Sequence, residues 1–129
     1  MPPPANRSSA ATRLHPRFRI FCGNEIALGP GKVELLRAVR KTGSIRRAAD
    51  QLEMSYMRAW LLIRTMNRCF KEPLVSAARG GSQYGGAQLT SMGIAALRLY
   101  ERLEAQSMAA TQQTRRELED LLSRAPEPG

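Results

Sequence analysis

Apolar and polar positions change period several times along this chain, and each change marks a new kind of element. In "RFRIFCGNEIALGPG", which starts at Arg17, Phe18 and Ile20 fall on one side while Arg17, Arg19 and Phe21 fall on the other. "CGNE" is a turn signal, after which Ile26 and Leu28 resume the alternation, so the stretch predicts a short β-hairpin. Gly29-Pro30-Gly31 breaks the pattern, with Pro30 suited to the first turn of a helix. From Lys32 to Lys41, Val33, Leu35, Leu36 and Val39 recur at helical spacing. Gly43 suits the end of that helix, and Ser44 is a good N-cap for the next.

The second helix is expected over Ser44 to Leu52, with Ile45, Ala48, Ala49 and Leu52 inward and Arg46, Arg47 and Asp50 outward. Paired alanines let another helix cross closely, because a large side chain there would hold the axes apart. A third helix begins at Ser55. At 100° per residue, Tyr56, Ala59, Trp60, Ile63, Met66, Asn67 and Phe70 share the side assigned to the core. The opposite side carries Ser55, Met57, Arg58, Leu61, Arg64, Thr65 and Arg68. Two helices joined by a tight turn, the second with a basic outer face, match the helix-turn-helix plan; an ordinary αα-hairpin in a bundle has the same spacing.

The next stretch favours the first reading. "EPLVSAARGGSQYGGAQLTS" places strand-like "PLVSA" and "AQLT" around a glycine-rich centre that holds Arg79, Gln83 and Tyr84. A hairpin directly after such a helix is a wing, whose tip can lie along a phosphate backbone or enter a minor groove. The glycines do not make a P-loop, because no Gly-Lys-Ser/Thr follows them. From Thr90, a plausible N-cap, no breaker appears until Pro126, and one helix is expected over residues 91–122, about 45 Å long. Leu99, Tyr100 and Leu103, then Leu118, Leu121 and Leu122, are its candidate dimerisation residues, since a helix that outruns its own core finds a partner. A solvent-exposed C-terminal helix is the plainer reading of the same segment.

Composition then narrows the chemistry. The 129 residues suffice for one domain and carry a formal charge of +9, and 17 of the 20 basic residues are arginine. Arginine's planar fork fits phosphates and guanine edges, although a GC-rich genome also inflates arginine over lysine. Cys22 and Cys69 are too few for a metal cluster or a disulfide framework. His15, the one histidine, lies in a polar tail, and the scattered acids assemble no nucleophile–base pair or carboxylate dyad. No enzyme activity, metal or cofactor is therefore expected. No apolar run approaches the ~20 residues of a membrane span. "MPPPANRSSAATRLHPR" has the composition of a transit peptide, but lacks a clear amphipathic face; a disordered basic tail that adds phosphate contacts is expected instead, in a cytoplasmic protein.

The motifs "LGPGKVELLRAVRKTGSIRRAADQLEMSYMRAW", Ile63, "MN" at 66–67, "PLV" at 73–75, "GG…GGAQLT" and "GIAALRLYERLE" together carry a resemblance. From about Arg17 to Met108 the chain resembles the N-terminal DNA-binding domain of the ModE family of molybdate-responsive bacterial regulators and, more distantly, the LysR-type winged helix. The resemblance implies a mainly α fold with two small β-hairpins: a winged helix-turn-helix over 17–90, a long dimerisation helix over 91–122, and tails at 1–16 and 123–129. It also implies that Ser55, Met57, Arg58, Leu61, Arg64 and Thr65 face a DNA groove, with Tyr56 reaching a phosphate from the helix start. Arg58 is the expected base contact; Ser44, Arg46 and Arg47 are expected on phosphate, and Arg79, Gln83 and Tyr84 in the wing. Trp60, Ile63, Ala48 and Ala49 are expected in the core.

Three departures qualify the resemblance. Glu53 stands in the helix-turn-helix turn, where glycine or a small residue is usual. Ser82, Gln83 and Tyr84 occupy the wing where more glycine is expected. The sequence reaches Gly129, ahead of the oxyanion-binding domains with which ModE proteins sense molybdate, so a molybdate response is not expected of it. The leading expectation is a homodimeric transcription regulator on a pseudo-palindromic operator, possible targets being molybdenum-related genes, with control by its amount or by a partner regulator. A protein-interaction module, or a non-specific nucleic-acid-binding protein, on the same scaffold is the alternative.

Overall fold

A computed structural model of the chain describes residues 14–78 and 86–123. Residues 17 to 102 form one compact unit, and those from Leu103 onward fall in a second. The first unit contains β1 (Ile20–Cys22), β2 (Glu25–Leu28), α1 (Pro30–Thr42), α2 (Ile45–Gln51), α3 (Tyr56–Cys69), β3 (Val75–Ala77), β4 (Ala87–Leu89) and the start of α4 (Ser91–Ala110). The second holds the end of α4 and α5 (Gln112–Glu119). The compact unit thus includes the first turns of α4, which the sequence reading assigned to the dimerisation helix.

β1 and β2 pair antiparallel, with a bulge between Ile20 and Phe21. The bulge breaks the simple alternation: Ile20 and Phe21 are both exposed, while the adjacent Ala27 and Leu28 are both buried. The hairpin is anchored from α4. Tyr100 packs edge-on against Phe18 at a centroid distance of 6.5 Å, and its hydroxyl donates to the Phe18 carbonyl at 3.0 Å. Tyr100 is only 2% exposed. Its expected place at a dimer surface is therefore corrected: the ring is buried in the core of its own chain.

α1 begins with Pro30, whose missing N–H costs nothing in a first turn. It ends where Gly43 turns left-handed at φ 72°, its N–H donating to Val39 O. Val33, Leu35, Leu36 and Val39 of α1 form the centre of a single core cluster with Ala48, Ala49, Ala59, Ile63, Met66, Leu74 and Leu97. At the surface Arg37 joins Glu34 at 3.0 Å and Glu101 of α4 at 2.9 Å.

α4 starts at the N-cap Thr90, whose hydroxyl accepts from Gly93 N at 3.0 Å and donates to Pro73 O at 2.6 Å. The single helix expected over 91–122 is corrected to two. α4 stops at Ala110, about 30 Å after its start. Thr111 (φ −107°, ψ 12°) interrupts it, and its hydroxyl donates back to Ser107 O at 2.6 Å. Arg115 grips the junction, donating to the Thr111 hydroxyl at 3.1 Å and to Met108 O at 2.6 Å. A β-branched side chain bonded to its own preceding turn weakens helix continuation, a preference invisible to a search for Pro and Gly.

Gly93 marks the closest approach in the fold. A Cβ built there would lie 2.1 Å from the Leu74 carbonyl oxygen, a backbone atom that cannot swing aside. Gly93→Ala is expected to destabilise the protein by about 1–3 kcal/mol, the usual cost of overpacking. Urea unfolding checks this; an unchanged midpoint would contradict the tight seat of α4 on Leu74.

Candidate nucleic-acid interface

α2 and α3 are each opened by a serine. The Ser44 hydroxyl accepts from Arg47 N at 3.1 Å, and that of Ser55 from Arg58 N at 3.0 Å. In each case the oxygen caps the helix and leaves the hydroxyl proton to donate elsewhere. Between the helices Glu53 takes the left-handed conformation, φ 58°, at a cost of roughly 1–2 kcal/mol for a side chain with a Cβ. Met54 N donates to Ala49 O at 3.0 Å beside it. The turn thus closes with the glutamate itself in the left-handed conformation.

Ala48 and Ala49 of α2 and Ala59 of α3 are fully buried, as the close crossing of small side chains requires. The buried line of α3 runs through Ala59, Ile63 and Met66, with Leu62 partly buried beside it. This corrects the helical wheel, which is rotated by about half a residue step: Leu62 turns inward, while Trp60 and Tyr56 turn out, 40% and 41% exposed. The exposed rings do not stand bare. The Arg46 guanidinium lies over Tyr56 at 4.6 Å and that of Arg64 over Trp60 at 5.5 Å. Such cation–π stacking holds an arginine ready without quenching its charge.

The outward strip of α3 is therefore Met57, Leu61 and Arg64, at i, i+4 and i+7, with exposed Arg58 on one flank and Trp60 on the other. No acidic residue occurs in α3. Thr65 is half-buried and its hydroxyl donates to Leu61 O at 3.1 Å, so its donor is spent within the helix. Arg68, on the same strip, is not free for another anion. It donates to both oxygens of Glu25 at 2.6 Å. The Arg68 guanidinium holds the Glu25 carboxyl below its ordinary range, and Glu25 in turn raises Arg68. Cys69 donates to the same carboxylate at 3.7 Å; burial pushes its thiol up, which keeps it protonated at neutral pH. Among the described residues no group of three or more His, Cys, Asp or Glu side chains is arranged to hold a metal.

The wing strands β3 and β4 pair antiparallel, Val75 opposite Leu89 and Ala77 opposite Ala87. Arg79, Gln83 and Tyr84, expected at the wing tip, lie outside the described residues. The base of the wing is tied to the helix-turn-helix: Ala87 N donates to Gly43 O at 2.9 Å, and Ser44 forms a bridge with Gly86. Asn67 makes the second tie, which the sequence reading placed only on the core side. Its Oδ1 accepts from Leu74 N at 2.8 Å and Val75 N at 3.1 Å, and its Nδ2 donates to Val75 O at 3.1 Å.

A three-helix core whose third helix faces outward with arginines, followed by a two-stranded wing, is the winged helix-turn-helix fold of DNA-binding domains. Residues 31–94 match the family of bacterial regulatory helix-turn-helix proteins of the lysR family. Over that segment the chain is a LysR-type helix-turn-helix domain. It is 40% identical over 100 residues to the molybdenum transport protein ModE of Azotobacter vinelandii, covering 78% of this chain and 37% of that protein. To the DNA-binding transcriptional dual regulator ModE of Escherichia coli K12 it is 38% identical over 74 residues, 57% of this chain and 28% of the relative. The chain thus spans little more than a third of these relatives at most. Its fold is similar to that in the crystal structure of a CbnR_DBD–DNA complex, with a TM-score of 0.54 at 18% identity, over 68% of this chain and 95% of that one.

Asn67→Ala removes the acceptor for two backbone N–H groups at once. The expected loss of stability is about 2–3 kcal/mol, read by urea unfolding. A loss under about 0.5 kcal/mol, the range of an indifferent surface change, would contradict the role of Asn67 as the clamp of the wing.

Proposed function

We propose that this chain is a sequence-specific DNA-binding transcription regulator, and that it binds as a homodimer to a pseudo-palindromic operator in the bacterial cytoplasm. The observation that carries the reading is the outer strip of α3: exposed, free of acids, and flanked by Arg46, Arg47 and Arg58, beside a wing. A helix so arranged fits the major groove, with its N-terminal residues on base edges. Arg58, in the first turn, is suited to a bidentate contact with guanine O6 and N7. Arg46 and Arg47 are suited to phosphates, as are the free hydroxyl protons of Ser44 and Ser55. Arg64, stacked on Trp60, sits further along the same strip. Tyr56, held by Arg46, contributes its hydroxyl at the edge.

Dimerisation rests on exposed leucines. Leu99 and Leu103 are exposed on α4, and Leu118, Leu121 and Leu122 are exposed beyond it. Two-fold pairing would set the half-sites about one helical turn apart, roughly 34–36 Å. Molybdenum-related genes are the first targets to examine, since ModE proteins are among the relatives. The work proposed for the protein is recognition.

Selection of binding sites from a random DNA pool at one salt concentration tests this reading. An enriched palindromic motif is expected, blurred at a guanine when Arg58→Ala replaces the wild type. Binding without an enriched motif, governed by salt alone, would instead mean non-specific association; absence of binding would leave an interaction module.

A further inference from the structure

Met57 and Leu61 are large apolar side chains set on the surface of α3. They are 60% and 48% exposed, one turn apart in the middle of the face that the DNA-binding reading turns toward the groove. Neither contributes to the core cluster. The rings of Tyr56 and Trp60 beside them each carry a guanidinium over one face and are less exposed, at 41% and 40%, so Met57 and Leu61 are the most exposed apolar side chains of the strip.

The surroundings decide what can cover it. Arg46, Arg47, Arg58 and Arg64 are exposed around the pair and α3 carries no acid. A second copy of a chain with formal charge +9 would bring like charge against like, whereas a polyanion is complementary. In the major groove of DNA the apolar group on offer is the thymine 5-methyl. Leucine cannot hydrogen-bond to any base edge, and the methionine thioether is only a weak acceptor. Discrimination by these side chains therefore runs through shape and apolar contact. Methionine's three rotatable bonds let it follow the position of a methyl group.

We propose that Met57 and Leu61 are specificity-determining residues that read thymine through its 5-methyl group, one or two thymines per half-site. The assignment rests on the DNA-binding reading above. Arg58 supplies the polar part of the readout and this pair supplies the apolar part. The operator is then expected to carry thymine next to the guanine contacted by Arg58.

Deoxyuridine substitution isolates the methyl, because it removes that group and leaves every hydrogen-bonding atom of the base in place. Each thymine of the enriched duplex is replaced singly, and binding is measured by fluorescence anisotropy for the wild type, Met57→Ala and Leu61→Ala, with circular dichroism to establish that the variants fold. Wild type is expected to lose about fourfold at each thymine that is read, the worth of one buried methyl. The matching variant is expected to bind the thymine and uracil duplexes alike. A motif lacking thymine, uniform tolerance of uracil, or variants that keep the full uracil penalty would overturn the assignment while specific DNA binding stands. No preference of the wild type for the enriched duplex over a scrambled one would overturn the DNA-binding reading, and this assignment with it.

Discussion

The backbone of Leu74 and Val75 is where three elements of the fold are held together. Asn67, near the end of α3, takes three hydrogen bonds from this dipeptide, two as acceptor and one as donor. The Leu74 carbonyl also accepts from Thr90 N at 2.9 Å, and α4 presses on it through the bare Cα of Gly93. A side-chain amide can do this because it carries the same donor and acceptor as a peptide group. It stands in for a strand neighbour that the start of the wing lacks. The direction of α3, the root of the wing and the seat of α4 are thereby fixed from one place.

That rigidity gives α3 its use. Its inner line is alanine, isoleucine and methionine, and the small Ala59 faces a helix whose own buried residues are Ala48 and Ala49. Its outer line can then hold side chains with no structural duty. Arg46 and Arg64 rest on aromatic rings, which limits their rotamers at little cost to their charge. Arg68 is different: it is committed to Glu25 and ties the far end of α3 to the first hairpin. The positive face is graded in consequence, open toward the N-terminal half of α3 and neutralised at its end. Charge alone would not sort these arginines; their partners do.

Much of this was legible in the sequence. Gly43, Ser44 and Ser55 marked helix ends through chemistry that acts within four residues, and the alanine pair announced a close helix crossing. Both hairpins followed from alternation and turn residues. The errors came from interactions that are distant in sequence or weak in composition. Trp60 looked like core because a large apolar ring usually is, yet the core had room for Leu62 instead, and Arg64 offered the ring a partner outside. Tyr100 looked like a surface contact on a long helix until Phe18, 82 residues away, supplied both an edge and a carbonyl. Asn67 gave no sign beyond its place on the inner side, since its partners lie across the turn into the wing. Thr111 ended a helix without being a breaker in composition. The base of the wing, bridged to Ser44, was likewise written in tertiary structure alone.

In the DNA-bound state proposed above, the N-terminal half of α3 lies in the major groove of a duplex. Dimethyl sulfate footprinting tests it most directly, since the reagent methylates guanine N7 in the major groove and adenine N3 in the minor groove. With bound protein, protection of guanine N7 is expected at two positions about one helical turn apart, lost in the Arg58→Ala variant. Binding that leaves every guanine N7 reactive, with protection confined to adenine N3, would contradict it.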